Sequence, residues 1–170
     1  MKKILLYSIG CVVIVLCVVC YFAFTQTREL QECKNEQDKI SGCVQKKYYE
    51  NGNLEIETPF ENGKLHGVEK WYYENGNLEC EIPYQNGKLH GVEKEYDENG
   101  ILMSEIPYQN GKLHGVGKVY YENGNLQAQV TYENGSAVSG VCGDGKKIPN
   151  IQGLGYWGDI QNQISTTCKK

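Results

Sequence analysis

Apolar and polar residues alternate in short runs from residue 44 to residue 140, and an Asn-Gly pair separates each run from the next. A two-residue type I′ β-turn needs positive φ at both central positions, so Asn-Gly between alternating runs predicts a β-hairpin. The pairs therefore predict nine antiparallel strands joined by two-residue loops. Their asparagines are Asn51, Asn62, Asn75, Asn86, Asn99, Asn110, Asn123 and Asn134.

Alternate Asn-Gly pairs recur every 24 residues, which marks an internal repeat. Pairing the residues outward from each turn assigns every side chain to a face. One face is mostly apolar. It carries Leu54, Ile56, Phe60, Leu65, Trp71, Tyr73, Leu78, Ile82, Tyr84, Leu89, Leu102, Ile106, Tyr108, Leu113, Val119, Tyr121, Leu126, Val130 and Tyr132.

The opposite face of the predicted sheet carries alternating charges. The register places Lys70 between Glu55 and Glu81 on the neighbouring strands, and Lys94 has similar neighbours one repeat later. Opposite charges that face each other across a sheet are stabilising, so this face supports the register independently.

Two features of the predicted apolar face depart from simple alternation. Glu93, Glu95 and Asp97 fall on it, so we expect a bulge to shift the register in that strand. Three strand glycines also lie beside aromatic residues, which compensate for the missing side chains. The predicted pairs are Gly67 with Tyr84, Gly91 with Tyr108, and Gly115 with Tyr132.

The repeated units at residues 72–78 (YYENGNL) and 84–91 (YQNGKLHG) resemble the MORN repeat variant. This repeat is found in bacterial proteins that are often labelled as YwqK-family antitoxins. The resemblance covers residues 44–140 with nearly four copies. It implies a curved, single-layer antiparallel sheet and a role in protein contact rather than in catalysis.

A long apolar segment precedes the repeats. Residues 4–24 are apolar except for Ser8 and Gly10, and as a helix they span about 31 Å, which matches a hydrocarbon core of about 30 Å. The apolar region of a cleavable signal peptide is only about 7–15 residues long, so we favour an uncleaved anchor over that alternative. Lys2 and Lys3 favour a cytoplasmic N-terminus and export of the remainder.

The chain thus divides into four predicted segments: a transmembrane signal-anchor at 1–27, a polar stalk at 28–43, a β-repeat domain at 44–140 and a Gly-rich tail at 141–170. The predicted fold class is all-β, a single-layer antiparallel β-meander of 24-residue hairpin repeats preceded by one N-terminal transmembrane helix. Apolar residues are too few for a second layer over the whole sheet. We expect the tail to cover one end, and a partner or a second copy to cover the rest.

Charge excludes one class of partner. The 170 residues contain 17 Lys+Arg and 21 Asp+Glu, and without Lys2 and Lys3 the remainder carries 15 basic against 21 acidic residues, a net charge of −6. Such a surface repels phosphate, so no nucleic-acid partner is expected.

Five cysteines lie outside the apolar segment, and an odd number leaves at least one unpaired in the monomer. We predict a disulfide between Cys142 and Cys168, which bracket the tail, and a second between Cys33 and Cys43. Cys80 shares its repeat position with apolar residues and is expected to be a buried free thiol.

No metal, cofactor or catalytic site is predicted. His66, His90 and His114 occupy one column, but equivalent positions lie about 9.6 Å apart, whereas ligands of one zinc each lie about 2 Å from it. Residues 153–158 (GLGYWG) match the dinucleotide fingerprint without the strand and helix that it needs. No nucleophile stands near a suitable base, so an enzyme is not expected.

The sequence therefore predicts a non-catalytic, membrane-anchored repeat protein of the bacterial cell envelope, with its repeat domain outside the cytoplasm. It would bind a protein partner or another copy of itself. The predicted partner-binding residues are Trp71, Tyr84, Tyr108 and Tyr132. Two alternatives are an antitoxin that neutralises a partner and a carbohydrate- or choline-binding module, in which aromatic rings hold sugars or quaternary amines.

Overall fold

A computed structural model of the protein describes residues 30–169. The predicted anchor at residues 1–27 lies outside the described residues. Within residues 30–169, no helix combines the length and the apolar character needed to cross a bilayer.

The described residues form two short helices and a sheet of twelve β-strands. In chain order these are α1 Asp38–Ser41, β1 Cys43–Tyr48, β2 Leu54–Glu61, β3 Lys64–Leu65, β4 Gly67–Tyr72, β5 Leu78–Gln85, β6 Lys88–Leu89, β7 Gly91–Tyr96, β8 Leu102–Gln109, β9 Lys112–Leu113, β10 Gly115–Tyr120, β11 Leu126–Glu133, β12 Ser136–Cys142 and α2 Trp157–Thr167.

The sheet is an antiparallel meander, with strand order β1-β2-β4-β5-β7-β8-β10-β11-β12. The two-residue strands β3, β6 and β9 pair with β2, β5 and β8. Each is separated from the next strand by a single histidine, so that β3 and β4, for example, are two parts of one interrupted strand. The predicted all-β sheet of hairpin repeats is therefore confirmed for the described residues.

The Asn-Gly pairs form two kinds of connection. At Asn62-Gly63 both residues have positive φ, 53° and 70°, and a two-residue turn joins β2 to β3. At Asn51-Gly52 only the glycine has positive φ, and residues 49–53 form a longer loop. The side-chain oxygen of Asn51 accepts the backbone N–H of Asn53 there, which stabilises the wider loop. The two kinds alternate along the chain, so the prediction of two-residue loops is wrong for every second pair.

The predicted register is confirmed along most of each hairpin that a long loop closes. It shifts by one residue at the last pair before each of these loops, so that Leu78, for example, lies opposite Tyr72 and not opposite Tyr73 as predicted. The strand glycines lie opposite tyrosines in the pairs Gly67–Tyr84, Gly91–Tyr108 and Gly115–Tyr132.

The register slips by two residues after the first three two-residue turns, and by one residue after the fourth, between β11 and β12. Lys70 lies opposite Glu57, not opposite Glu55 as predicted, while its other neighbour is Glu81 as predicted. The slip occurs beside Gly67, whose φ of 109° is a conformation that glycine adopts most readily. A slip of two residues leaves every side chain on its predicted face.

The strand with the misplaced acidic residues departs from the predicted register at two points, the slip at Gly91 with φ 125° and a one-residue shift between Glu95 and Tyr96. Neither point moves Glu93 or Glu95 off the apolar face. Glu93 lies opposite Ile106 and Glu95 opposite Ser104.

The long loops are hydrogen-bonded to one another from repeat to repeat. The Tyr49 hydroxyl donates to the carbonyl of Tyr72 at 2.7 Å, and the Asn53 side chain donates to the carbonyl of Glu74 at 2.7 Å. The next loop repeats these bonds, with Tyr73 donating to the carbonyl of Tyr96 at 2.8 Å.

The third long loop lacks the tyrosine and the second asparagine. Asp97 and Ile101 stand in their places, and the Asp97 carboxylate accepts the backbone N–H groups of Asn99 and Ile101 within its own loop. Asp97 therefore lies in the loop and not on the apolar face as predicted.

The N-terminal edge is capped by residues that we expected to form part of a stalk. Glu32 pairs with Val44 in a parallel bridge, and Cys33 is bonded to Cys43. Helix α1 follows, and the carbonyl of its Ile40 accepts the backbone N–H of Asn62 at 3.1 Å. The segment from residue 31 is thus part of the folded unit Gln31–Lys170 rather than a free stalk.

The main buried core lies between the C-terminal end of the sheet and the tail. The tail turns back after β12, and α2 presents Ile160 and Ile164, one turn apart, to the sheet. The cluster consists of Ile106, Leu113, Ala128, Val130, Tyr132, Ala137, Cys142, Ile148, Ile151, Ile160, Ile164 and Cys168. The tail therefore covers one end of the apolar face, as predicted.

Candidate interaction surface

Rows of paired residues cross the sheet on its apolar side, which we call the front face. One row runs through Ile56, Trp71, Cys80, Glu95, Ser104, Val119, Ala128 and Cys142. Exposure falls along it, because Trp71 is 39% exposed whereas Ser104 and Ala128 are 1% and 0% exposed. The front face is thus open at its N-terminal part and buried where the tail lies.

We define the open face by eight front-face residues of strands β2 to β7 that do not belong to the buried cluster: Ile56, Glu69, Trp71, Cys80, Ile82, Tyr84, Glu93 and Glu95. Its composition differs from that of the covered part at the same repeat positions. Gly117 occupies the position of Glu69 and Glu93, and Val119 occupies that of Glu95. A charged side chain in an apolar layer is costly unless it is paired, so the covered repeat lacks charge where the open repeats have it.

The carboxylates of the open face accept hydrogen bonds from their own neighbours. Glu69, only 9% exposed, accepts from the Thr58 hydroxyl at 3.0 Å and from the indole N–H of Trp71 at 2.8 Å. The Ser104 hydroxyl donates to Glu95 at 2.7 Å. These bonds hold the acidic side chains in place on the face.

No basic side chain neutralises this acidic group within residues 30–169, because none of the ion pairs found there includes Glu69, Glu93 or Glu95. Burial, and next the charge of Glu95, raise the pKa of Glu93. The open face therefore carries uncompensated negative charge in partly apolar surroundings.

Cys80 lies at the centre of the open face as a free, half-buried thiol. Burial raises its pKa to about 12, with a further increase from nearby glutamates. The thiolate is the reactive form of cysteine, so this thiol remains protonated and unreactive at neutral pH.

The structure separates the four aromatic residues that we predicted to bind a partner. Trp71 and the half-buried Tyr84 lie on the open face. Tyr108 packs against the edge of the core, and Tyr132 is 1% exposed inside it. Tyr132 therefore does not belong to the open surface, because α2, which the glycine-rich tail sequence did not predict, lies over that end of the sheet.

Sequence reasoning treated the acidic residues of the open face as a fault in the register and missed them as site candidates. The signal was present in the repeat itself. Positions 69, 93 and 117 are equivalent, and only the last is uncharged. A comparison between repeats would have marked the two glutamates as a difference between the open and the covered parts of the front face.

The back face of the sheet carries a ladder of alternating charges, in which Lys70 lies between Glu57 and Glu81 by register. Lys46 pairs with Glu57 at 3.2 Å and Lys118 with Glu105 at 3.8 Å, whereas neither Lys70 nor Lys94 forms an ion pair among the described residues. Beside the ladder lies an apolar stripe that the sequence analysis missed, although its 24-residue spacing is visible. It consists of Val68, Val92 and Val116, which are 43%, 45% and 50% exposed.

The remaining candidate motifs form no site. Within the described part of the chain, no group of histidine, cysteine and acidic residues could hold a metal ion. The backbone N–H of each column histidine donates to a proline carbonyl on the adjacent strand, for example His90 to Pro83 at 3.0 Å. Residues 153–158 run from the loop after β12 into the first two residues of α2. Among the described residues β12 makes only antiparallel pairs, so this is not a βαβ unit.

The family model of the MORN repeat variant matches the chain four times, at residues 44–62, 65–86, 89–110 and 113–134. No curated protein shows significant sequence similarity to the chain.

Two solved structures resemble the chain. One is described as the Glycosylation Associate Protein (Gap123) complex from Streptococcus agalactiae, with 17% identity, a TM-score of 0.38, and coverage of 72% of this chain and 24% of that chain. The other is described as accessory secretory protein 1, 2 and 3 in Streptococcus pneumoniae, with 15% identity, a TM-score of 0.37, and coverage of 74% and 25%. The chain spans about a quarter of the length of these solved chains.

Proposed function

The chain belongs to the MORN repeat variant family, and we propose that it is a non-catalytic, membrane-anchored protein that mediates protein–protein interaction at the cell envelope. The observation that carries the proposal is the incomplete cover of the front face. The tail buries the C-terminal part, whereas Trp71 remains 39% exposed on the same face. An uncovered apolar part of a sheet is typical of a surface that binds another macromolecule.

The shape and chemistry of this surface favour a macromolecular partner. A sheet row presents side chains about every 4.8 Å over several strands, which suits an extended contact. The thiol of Cys80, the nucleophile nearest the centre of the face, is held protonated by its raised pKa of about 12. Binding rather than catalysis is therefore the function that we propose.

The location at the envelope is supported by cysteine pairing and by the apolar segment. Cys33–Cys43 and Cys142–Cys168 form disulfides, which persist in oxidising compartments outside the cytoplasm. Residues 4–24 have the length and composition of a membrane-spanning helix. We propose a single-pass protein with its repeat domain outside the cytoplasm.

The test is chemical crosslinking on intact cells that produce the full chain, followed by identification of the co-purifying molecules. We expect one protein, or a small set, that the untreated control does not retain. Recovery of the chain alone would contradict the proposed function. Recovery of a toxin would support the antitoxin alternative, and recovery of a cell-wall polymer would support the carbohydrate-binding alternative.

A further inference from the structure

The acidic side chains of the open face have a defined spacing. Glu93 and Glu95 alternate along β7 and point to the same face, about 6.6 Å apart at about 3.3 Å per residue. Glu69 occupies the position of Glu93 one repeat earlier, which is two strands away, or about 9.6 Å. Glu69 on β4 and the two glutamates on β7 thus flank Cys80 and Ile82 of β5 from both neighbouring strands.

The covered part of the same face shows which kind of element packs on it. Helix α2 lies there with Ile160 and Ile164 in the core, beside Val130 and Tyr132. The open face continues this surface along the sheet without a change of strand order. A second helix could therefore pack on the open face in the way that α2 packs on the covered part.

The chemistry required of that helix differs from that of α2. The covered repeat has Gly117 and Val119 at these positions, and Val119 packs against the buried cluster. A helix on the open face would meet glutamates at the equivalent positions. Purely apolar cover would bury carboxylates that no basic side chain neutralises, which is strongly unfavourable. A second copy in the same orientation would place glutamates against glutamates, which is repulsive. A basic helix neutralises the carboxylates and avoids the repulsion between like charges. Its lysine or arginine side chains three or four residues apart lie about 5–6 Å from each other, which is close to the spacing of Glu93 and Glu95.

We propose that the open face binds a cationic amphipathic helix of a partner protein. Its basic side chains pair with Glu93 and Glu95, and its apolar side chains pack on Trp71 and Ile82. This inference rests on the proposed function and adds the surface and the chemistry of the partner.

The experiment is site-specific photocrosslinking with the full chain in the cells that produce it. Benzoyl-phenylalanine replaces Trp71 on the open face in one strain and Val92 on the back face in another, two positions of similar exposure, 39% and 45%. We expect a product from position 71 only, with the crosslinked partner segment helical and carrying at least two Lys or Arg residues within two turns.

The charge test compares two double variants in the position-71 strain. Glu93→Gln with Glu95→Gln should lower the crosslinking yield at least about tenfold, since hydrogen bonds to charged groups contribute about 1.5–3 kcal/mol each. The control variant, Glu98→Gln with Glu122→Gln, changes two residues on exposed loops and should leave the crosslinking yield unchanged. Circular dichroism of each purified variant shows whether the fold is kept, and the single change Glu95→Gln replaces the double variant if it is not.

The outcomes separate this inference from the function on which it rests. Crosslinking to a second copy, to a polysaccharide or to a neutral or acidic segment would overturn it, as would a yield that does not depend on Glu93 and Glu95. A product from position 92 alone would leave a protein-binding function in place but assign it to the back face. Absence of any partner from both positions and from chemical crosslinking would overturn both proposals.

Discussion

The hydroxyl of Tyr108 donates a hydrogen bond to the carboxylate of Glu93 on the neighbouring strand. One repeat later Gly117 replaces the glutamate, and the buried hydroxyl of Tyr132 has no hydrogen-bond partner among the described residues. A β-carbon at Gly117 would lie 2.8 Å from the ring of Tyr132, so this ring occupies the space that a side chain would need. The tyrosine at this repeat position therefore bonds to a carboxylate in one repeat and is enclosed by apolar residues in the next.

Replacing Glu93 should stabilise the protein at neutral pH. Its pKa is raised in the folded state, mainly by burial, so the folded protein binds more protons than the unfolded chain between the two pKa values, and stability falls as pH rises through that interval. Glu93→Gln removes this cost while it retains an acceptor for Tyr108. We expect a higher Tm at pH 7 by scanning calorimetry and no gain below the ordinary pKa of 4.5. The loop variant Glu98→Gln is the control, and an equal gain at both pH values would contradict the burial of Glu93.

Gly91→Ala should destabilise the sheet more than Gly100→Ala. Both glycines have positive φ, 125° and 81°, so each alanine is strained. At Gly91 the new β-carbon would also lie 3.0 Å from Pro83, whereas nothing lies within 4 Å at Gly100. We expect the free energy of unfolding to fall by about 1–2 kcal/mol for Gly100→Ala and by about 3 kcal/mol for Gly91→Ala. Urea unfolding followed by circular dichroism measures both, and equal losses would show that the register slip does not depend on Gly91.

The disulfide between Cys142 and Cys168 should hold the tail over the core. It closes a separation of 26 residues, for which the chain-entropy model gives about 3–4 kcal/mol. Cys142→Ser should lower the free energy of unfolding by about that amount and make α2 accessible to protease. Cys80→Ser is the matched control, because serine already occupies the equivalent buried position at Ser104. Mass mapping without reductant that found both Cys142 and Cys168 free would refute the bond and weaken the case for export.

Restoring the repeat sequence in the third long loop should stabilise the protein. Asp97→Tyr with Ile101→Asn would recreate the hydrogen bonds that Tyr73 and Asn77 make to the following loop. Consensus changes of this kind commonly add about 0.5–2 kcal/mol. Tyr73→Phe removes one such hydrogen bond from the preceding loop and should lower the free energy of unfolding by about 0.5–1.5 kcal/mol. Denaturant unfolding tests both, and a destabilised double variant would show that the loop with Asp97 is the better local structure.

The anchor prediction can be tested by fractionation. If residues 4–24 span a bilayer, the full chain should stay with membranes after a high-salt wash and retain its N-terminus in mass spectra. Protease added outside intact cells, or to spheroplasts where an outer membrane is present, should digest the repeats. A mature soluble chain that begins near Thr25 would show a cleaved signal peptide instead.

Local chemistry explains which parts of the structure were predictable. Asn-Gly turns and alternating charges define strands, faces and the pairing of Gly91 with Tyr108, because these depend on neighbouring residues. The slip beside Gly67 was not predictable from alternation, because a shift of two residues preserves both faces. Helix α2 was missed because its two buried residues, Ile160 and Ile164, give little amphipathic signal alone. The burial of Tyr132 could not be predicted without that helix.

Each end of the sheet carries its own helix and disulfide. These are α1 with Cys33–Cys43 at one end and α2 with Cys142–Cys168 at the other. The sheet between them is built from 24-residue repeats. A duplication of residues 67–90 would insert two strands without touching either end, because the inserted unit begins with the glycine and ends with the histidine that mark each join. The new strands would lengthen the front face by about 9.6 Å. Gene duplication within this interval can therefore adjust the length of the open face to that of its partner, while both terminal closures stay as they are.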